Sequence, residues 1–159
     1  MGAGVRAEAS AAITEHVLEC PEILAMKPGD VVAAYLSFGT EPSTIDLVAL
    51  LAARGLTVIV PAVLDDRQLD WVNASDRTSL GVASIGAAAM VIAPALACDR
   101  RGTRLGRGGG SYDRALSHVG SSVPVCALVY EDEVVVELPH EPHDRAVSMA
   151  AIPSGIVRF

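Results

Sequence analysis

Aromatic residues, cysteines, lysine and long apolar runs are all scarce in this sequence, and each scarcity removes a class of protein. Aromatics make up 4% of the 159 residues, so the core must be assembled from Ala, Val, Leu and Ile, a mixture common where helices pack closely on a sheet. Cys20, Cys98 and Cys126 are odd in number, widely separated and outside any Cys-x-x-Cys spacing, which supports neither a disulfide framework nor a zinc site. Small buried or half-buried thiols are the expectation. No apolar run approaches the roughly 20 residues a membrane span requires, and Met1-Gly2-Ala3-Gly4-Val5-Arg6 lacks a signal-peptide hydrophobic segment. A cytoplasmic protein with no membrane partner is therefore expected. A net charge of −7 opposes a nucleic-acid partner, because a polyanion normally demands a basic face.

What is present points to one compact α/β domain over residues 1–159, since 51% hydrophobic and 19% charged residues suit a single sizeable core. Val5, Ala9, Ala12, Ile13, His16 and Val17 recur at helical spacing, predicting a first helix over Ala3–Leu18 that Pro21 ends. Val31–Phe38 reads as a buried strand. Gly39-Thr40-Glu41-Pro42 supplies N-cap and first-turn residues for a helix running to Arg54, which Gly55 closes, and Leu56–Val60 is a second strand ended by Pro61. This β-α-β unit has a crossover of the right length for a parallel pair. Further strands are expected at Met90–Ala93, Val123–Val129, Val134–Leu138 and within Val147–Ile152, with a helix over Tyr112–His118. The alternation implies a three-layer domain: a central, mostly parallel sheet with helices on both faces and ligands at the carboxyl ends of its strands.

The positive charge is unevenly placed. Five of the 12 Lys and Arg residues (Arg100, Arg101, Arg104, Arg107 and Arg114) fall in one short stretch around Arg104-Leu105-Gly106-Arg107-Gly108-Gly109-Gly110-Ser111-Tyr112-Asp113-Arg114. Glycines without a Cβ let backbone N–H groups converge on an anion, and arginine adds fixed charge and forked donors. A Walker loop is excluded because the chain's only lysine is Lys27, and a dinucleotide fingerprint because Ser111 stands where its third glycine belongs. Glycine content alone is compatible with a flexible turn; the order Arg-Leu-Gly-x-Gly-x-Gly-x-Tyr-Asp-Arg is far more specific.

That order resembles the signature of the 5-formyltetrahydrofolate cyclo-ligase family, also called methenyltetrahydrofolate synthetases. The resemblance extends from Val31 to the C-terminus through Tyr35-Leu36-Ser37, Glu41, Pro61, Pro94-Ala95-Leu96, Asp99 and His143-Asp144. It implies ATP- and Mg²⁺-dependent cyclisation of 5-formyltetrahydrofolate to 5,10-methenyltetrahydrofolate, with release of ADP and phosphate. It further implies a nucleotide cradle of Arg104, Leu105, Gly106, Arg107, Gly108, Gly109, Gly110, Ser111 and Tyr112, with Arg104, Arg107 and Tyr112 serving catalysis. Asp113 and Asp144 would hold magnesium. Leu36 and Glu41 would bind the reduced folate together with Arg107, Gly108, Gly109, Gly110 and Ser111. The partner implied is this small molecule alone, bound by a monomer or a small homo-oligomer.

Plainer roles exist for several of these residues. Asp113 and Glu41 could be helix-start acids, Tyr112 a core aromatic and His143-Asp144 part of a solvated turn. The chain also departs from the family pattern. It lacks the N-terminal lysine, carries only Ala74–Ser79 where a longer loop covers the folate, and has Ser111 in place of a tyrosine. A catalytically weak or inactive paralogue that binds a nucleotide or other phosphate ligand is the alternative these departures suggest.

Overall fold

The computed structural model describes residues 1–159. Helix α1 (Ala3–Glu19) buries Ser10, Ile13, Thr14, Val17 and Leu18, a stripe recurring every three or four residues. Pro21 opens α2 (Pro21–Leu24), whose first turn needs no proline N–H. Then follow β1 (Val31–Ala33), α3 (Ile45–Ala53), β2 (Thr57–Val63), β3 (Leu69–Asn73), a 3-10 turn (Val82–Ala87), β4 (Ala88–Pro94), β5 (Ala97–Asp99) and β6 (Arg104–Leu105). The chain ends with α4 (Ser111–Leu116), β7 (Val125–Leu128), a second 3-10 turn (Glu131–Glu133), β8 (Val134–Val135), β9 (Met149–Ile152) and β10 (Gly155–Arg158). No helix is long and apolar enough to cross a membrane.

Seven strands form the central sheet in the order β10-β9-β7-β4-β1-β2-β3. The inner pairs are parallel, and antiparallel β3 and β10 close the two edges. Inner strands buried on both faces read as nearly continuous apolar runs, chiefly Val, Ile and Ala. On one face Ile13, Val17, Ile23, Leu47 and Leu51 from α1, α2 and α3 pack on Val32, Val58, Met90, Cys126 and Met149. On the other, Ile85, Ala115, Leu116 and Val119 pack on Ala33, Ile59, Val91, Ala127 and Ala150. The three layers expected from the alternation are thus present. β1 sits between β2 and β4; the chain goes from β1 to β2 on one side and from β4 towards β7 on the other, so the loops after β1 and β4 diverge into a crevice at the strands' carboxyl ends.

Several boundaries differ from expectation, for physical reasons. β1 stops at Ala33 rather than Phe38: after the Ala34 N–H bonds the Ile59 carbonyl at 2.8 Å, Thr44 takes over the backbone. Its hydroxyl donates to the Tyr35 carbonyl (2.6 Å) and accepts from the Ser37 N–H (3.0 Å), while the Ser37 hydroxyl accepts from the Thr44 N–H. Helix α3 therefore starts at Ile45, and Glu41 lies in the preceding turn, not at a helix head. Pro61 does not end β2. It pairs with Trp71 of β3 and turns its missing donor towards β1, which has already ended, so no ladder bond is lost. Of Val134–Leu138 only the first two residues are strand, and they pair with β5 in a small three-stranded sheet, β6-β5-β8, outside the central one. The strands β3, β5, β6 and β10 carry no pattern in the sequence that announces them.

Candidate active site

The crevice opens into a cavity of about 570 Å³ whose walls come from five separate stretches of chain. The turn after β1 contributes Tyr35, Leu36, Phe38 and Glu41; β2 and β3 contribute Pro61, Val63 and Leu69; the end of β4 contributes Pro94, Ala95 and Leu96. The arginine–glycine loop supplies residues 104–108 and 110–113, and Pro139 and Asp144 complete the rim. Every candidate from the sequence except Gly109 lines this one cavity. Phe38, Val63, Leu69 and Pro139 also line it, and nothing local in the sequence marks them, because only the fold brings them there.

The loop's backbone is built for an external acceptor. Gly108, Gly109 and Gly110 have φ of 93°, 82° and 70°, three consecutive left-handed residues that side chains would resist. The amide N–H groups from Gly106 through Asp113 donate to no other group of the chain. Eight consecutive unused donors beside a cavity make a concave, partially positive surface suited to an anion. Gly106 has a second reason to be glycine: a Cβ there would lie 3.0 Å from Arg104 Nη1, in the space the guanidinium occupies.

Arg104 is the fixed cation of the site. Its side chain is only 6% exposed, its Nη1 donates to the Pro94 carbonyl at 3.0 Å, and its Nη2 lies 3.8 Å from Asp113 Oδ1. It also lies over the Tyr112 ring, 5.3 Å from the centroid. Its Nε and the hydroxyls of Tyr35 and Tyr112 are buried without a hydrogen-bond partner, although buried polar atoms are normally satisfied. Burial pushes both phenols well above their ordinary pKa, with Glu41 adding in the same direction at each and Arg104 opposing at Tyr112. Both therefore stay protonated and can donate.

Arg107, on the same loop as Arg104, reaches across the cavity to the turn after β1. Its Nη2 is 3.2 Å from Glu41 Oε1, and its guanidinium stacks over the exposed Phe38 ring at 4.5 Å. Glu41 is nearly enclosed, and its second oxygen accepts the Phe38 N–H at 3.0 Å. The pair bridges the cavity from the β1 turn to the glycine loop.

Asp113 and Asp144 present carboxylates from different segments to the same space, each about 30% exposed: 30% and 28%. Asp144 is held by the Glu141 N–H on Oδ2 (2.7 Å), and its neighbour Arg145 grips the carbonyls of Val119, Gly120 and Val123. Behind them, buried Asp99 accepts the N–H groups of Arg101, Thr103 and Leu138, fixing the β5–β6 turn and the segment leading to Pro139. Two hard carboxylate oxygen sets suit Mg²⁺, which usually takes one or two protein carboxylates plus phosphate and water. The chain has no cluster of three or more His, Cys, Asp or Glu side chains that could hold a metal unaided, so an ion here would share its coordination with a ligand.

Elsewhere the expectations are modest. All three cysteines are free and buried, and burial pushes the Cys98 thiol up to about 12, so none is a nucleophile at neutral pH. Trp71 is a core residue, edge-on to Tyr112 with ring centroids 6.3 Å apart. Arg6 donates to the Met1 carbonyl and takes no part in the cavity.

Comparison with known proteins bears on this geometry. The model of the 5-formyltetrahydrofolate cyclo-ligase family matches residues 1–153. A 5-formyltetrahydrofolate cyclo-ligase of Mycolicibacterium smegmatis is 37% identical over 149 aligned residues, covering 81% of this chain and 77% of its own. Among solved structures, a 5,10-methenyltetrahydrofolate synthetase from Mycoplasma pneumoniae superposes with a TM-score of 0.79 at 17% identity, over 95% of this chain and 88% of its own. The Aquifex aeolicus 5,10-methenyltetrahydrofolate synthetase gives 0.78 at 20% identity, over 99% and 84%.

Proposed function

Because the chain belongs to the 5-formyltetrahydrofolate cyclo-ligase family, we propose that it converts 5-formyltetrahydrofolate to 5,10-methenyltetrahydrofolate, consuming ATP in the presence of Mg²⁺ and releasing ADP and phosphate. One observation carries the assignment of the site: the unused amides of residues 106–113, the buried Arg104 and two carboxylates converge on a single cavity, with Glu41 on its far side. The substrates pair a triphosphate with a ring system bearing a formyl group. In the reaction the formyl oxygen attacks the γ-phosphorus, N10 closes on the activated carbon, and phosphate leaves. No side chain is required as a nucleophile; the protein must supply charge and alignment.

The residues divide accordingly. The loop amides and the guanidinium groups of Arg104 and Arg107 hold phosphate oxygens, and Arg104, already fixed by Pro94 and excluded from water, meets them without reorganising. The Tyr112 hydroxyl, protonated and unpartnered, donates to the same oxygens. Asp113 and Asp144 would hold Mg²⁺, which when bound offsets charge on the phosphate oxygens. Glu41 accepts N–H groups of the folate ring, and Leu36, half exposed at the cavity wall, covers its apolar face. A cytoplasmic setting accompanies this reading, in keeping with three unpaired cysteines.

The test is to incubate the purified protein with 5-formyltetrahydrofolate, ATP and Mg²⁺ while following the methenyl chromophore, with Asp113→Asn as control. Product in the wild type, reduced at least about 100-fold in the variant, is the expected result. Tight nucleotide binding without product would instead identify a non-catalytic paralogue.

A further inference from the structure

We propose that Arg67, which lies outside the signature loop, is a further phosphate-binding residue of the nucleotide site. This rests on the nucleotide-binding reading above. Arg67 sits in the turn between β2 and β3, where its N–H donates to the Leu64 carbonyl at 2.9 Å. Its φ is 67°, a conformation that non-glycine residues adopt only when the surroundings enforce it. The hairpin turn imposes it, with the Arg67 N–H bonded to the Leu64 carbonyl and the Leu64 N–H to the Gln68 carbonyl, and the glycine loop ties the turn down: the Arg67 carbonyl accepts the Ser111 hydroxyl at 2.7 Å and Arg114 Nη2 at 3.3 Å. The turn is thereby fastened to the loop, and the Arg67 guanidinium comes to rest against it. Nη1 lies 3.4 Å from where a Gly109 Cβ would be, so a side chain there would press on the guanidinium.

The adjacent acid does not claim this charge. Both oxygens of Asp66 are taken by Gln68, and Arg67 forms no ion pair. An exposed, unpaired guanidinium thus lies beside Gly109, whose amide and those of its neighbours Gly108 and Gly110 are unused. That is an arrangement of donors for a phosphate oxygen.

The variants separate side chain from backbone. Arg67→Gly keeps the carbonyl that Ser111 and Arg114 need and relaxes the φ, while Arg67→Lys keeps the charge. Binding of ATP with Mg²⁺ is measured by equilibrium dialysis, and steady-state KM for each substrate alongside. Arg67→Gly should weaken ATP binding about tenfold and leave the KM for 5-formyltetrahydrofolate unchanged, with Arg67→Lys recovering most of the loss. Wild-type ATP affinity in Arg67→Gly would overturn the role of Arg67 while leaving the family reading intact. Equal increases in KM for both substrates would overturn it too, since they would mark a general disturbance of the loop. A wild-type chain that binds no ATP would overturn both.

Discussion

At the scale of single residues, the atoms with nothing to do in the folded chain are the most informative. The Tyr112 hydroxyl forms no bond that its removal would break, so Tyr112→Phe should keep the stability within about 1 kcal/mol of the wild type. If that hydroxyl serves phosphate oxygens, the same change should lower kcat/KM by about tenfold. Thermal melts beside steady-state kinetics read the two effects separately. Glu41 behaves differently because its carboxylate is engaged twice, by Phe38 and by Arg107. Glu41→Gln keeps an acceptor for the Phe38 N–H but removes the charge facing Arg107. A higher KM for 5-formyltetrahydrofolate with little change in melting temperature is expected, and an unchanged KM would remove Glu41 from the folate site.

At the scale of elements, the small sheet matters out of proportion to its length, because β6 carries Arg104 into the cavity. Its turn depends on Gly102, at φ 80°, where an added Cβ would lie 2.3 Å from the Val147 carbonyl oxygen. Gly102→Ala should therefore destabilise the fold by more than about 1 kcal/mol, measurable by denaturant titration, and should depress activity through Arg104 as well. Two of the small sheet's three strands could not be read from the sequence, and the reason is physical. β5 and β6 are three and two residues long, too short for a period, and the turn between them is set by Asp99 accepting N–H groups from Arg101 and Thr103; only β8 falls inside an expected strand, Val134–Leu138. The inner strands could be read, since burial on both faces leaves continuous apolar runs at Leu56–Val60, Met90–Ala93 and Val125–Leu128. So could the loop residues from Arg104 to Asp113, whose chemistry is local. Edge strand β3 has no clear signal because Val72 and Asn73 break its alternation, and Phe38 and Arg67 have none because they meet Arg107 and Gly109 only once the β1 turn and the β2–β3 turn fold against the glycine loop.

At the scale of the whole molecule, one ion pair ties the beginning of the chain to its end. Glu22 of α2 meets both guanidinium nitrogens of Arg158 on edge strand β10, at 2.6 and 3.1 Å, and the hydrogen bond from Arg158 holds the carboxyl down to about 2 from its ordinary 4.5. A carboxylate depressed by folding contributes stability above its unfolded pKa and loses it as pH falls through the folded one. Glu22→Gln should accordingly melt below the wild type near neutrality, with the difference shrinking between about pH 4.5 and about pH 2. Half-exposed Arg158 is screened by solvent, so the gap should be small. Truncation in the core acts on a larger scale: Leu47→Ala, at a fully buried position between α3 and the sheet, should cost about 2 to 5 kcal/mol at any pH. The contact between Trp71 and Tyr112 has an optical consequence. With one indole in the chain, set edge-on to Tyr112 at the end of the glycine loop, tryptophan emission from the native protein senses the packing beside that loop. Titrating Mg·ATP into unlabelled protein should then change the intensity in a saturable way, a spectroscopic gauge of occupancy that requires no dye and no turnover.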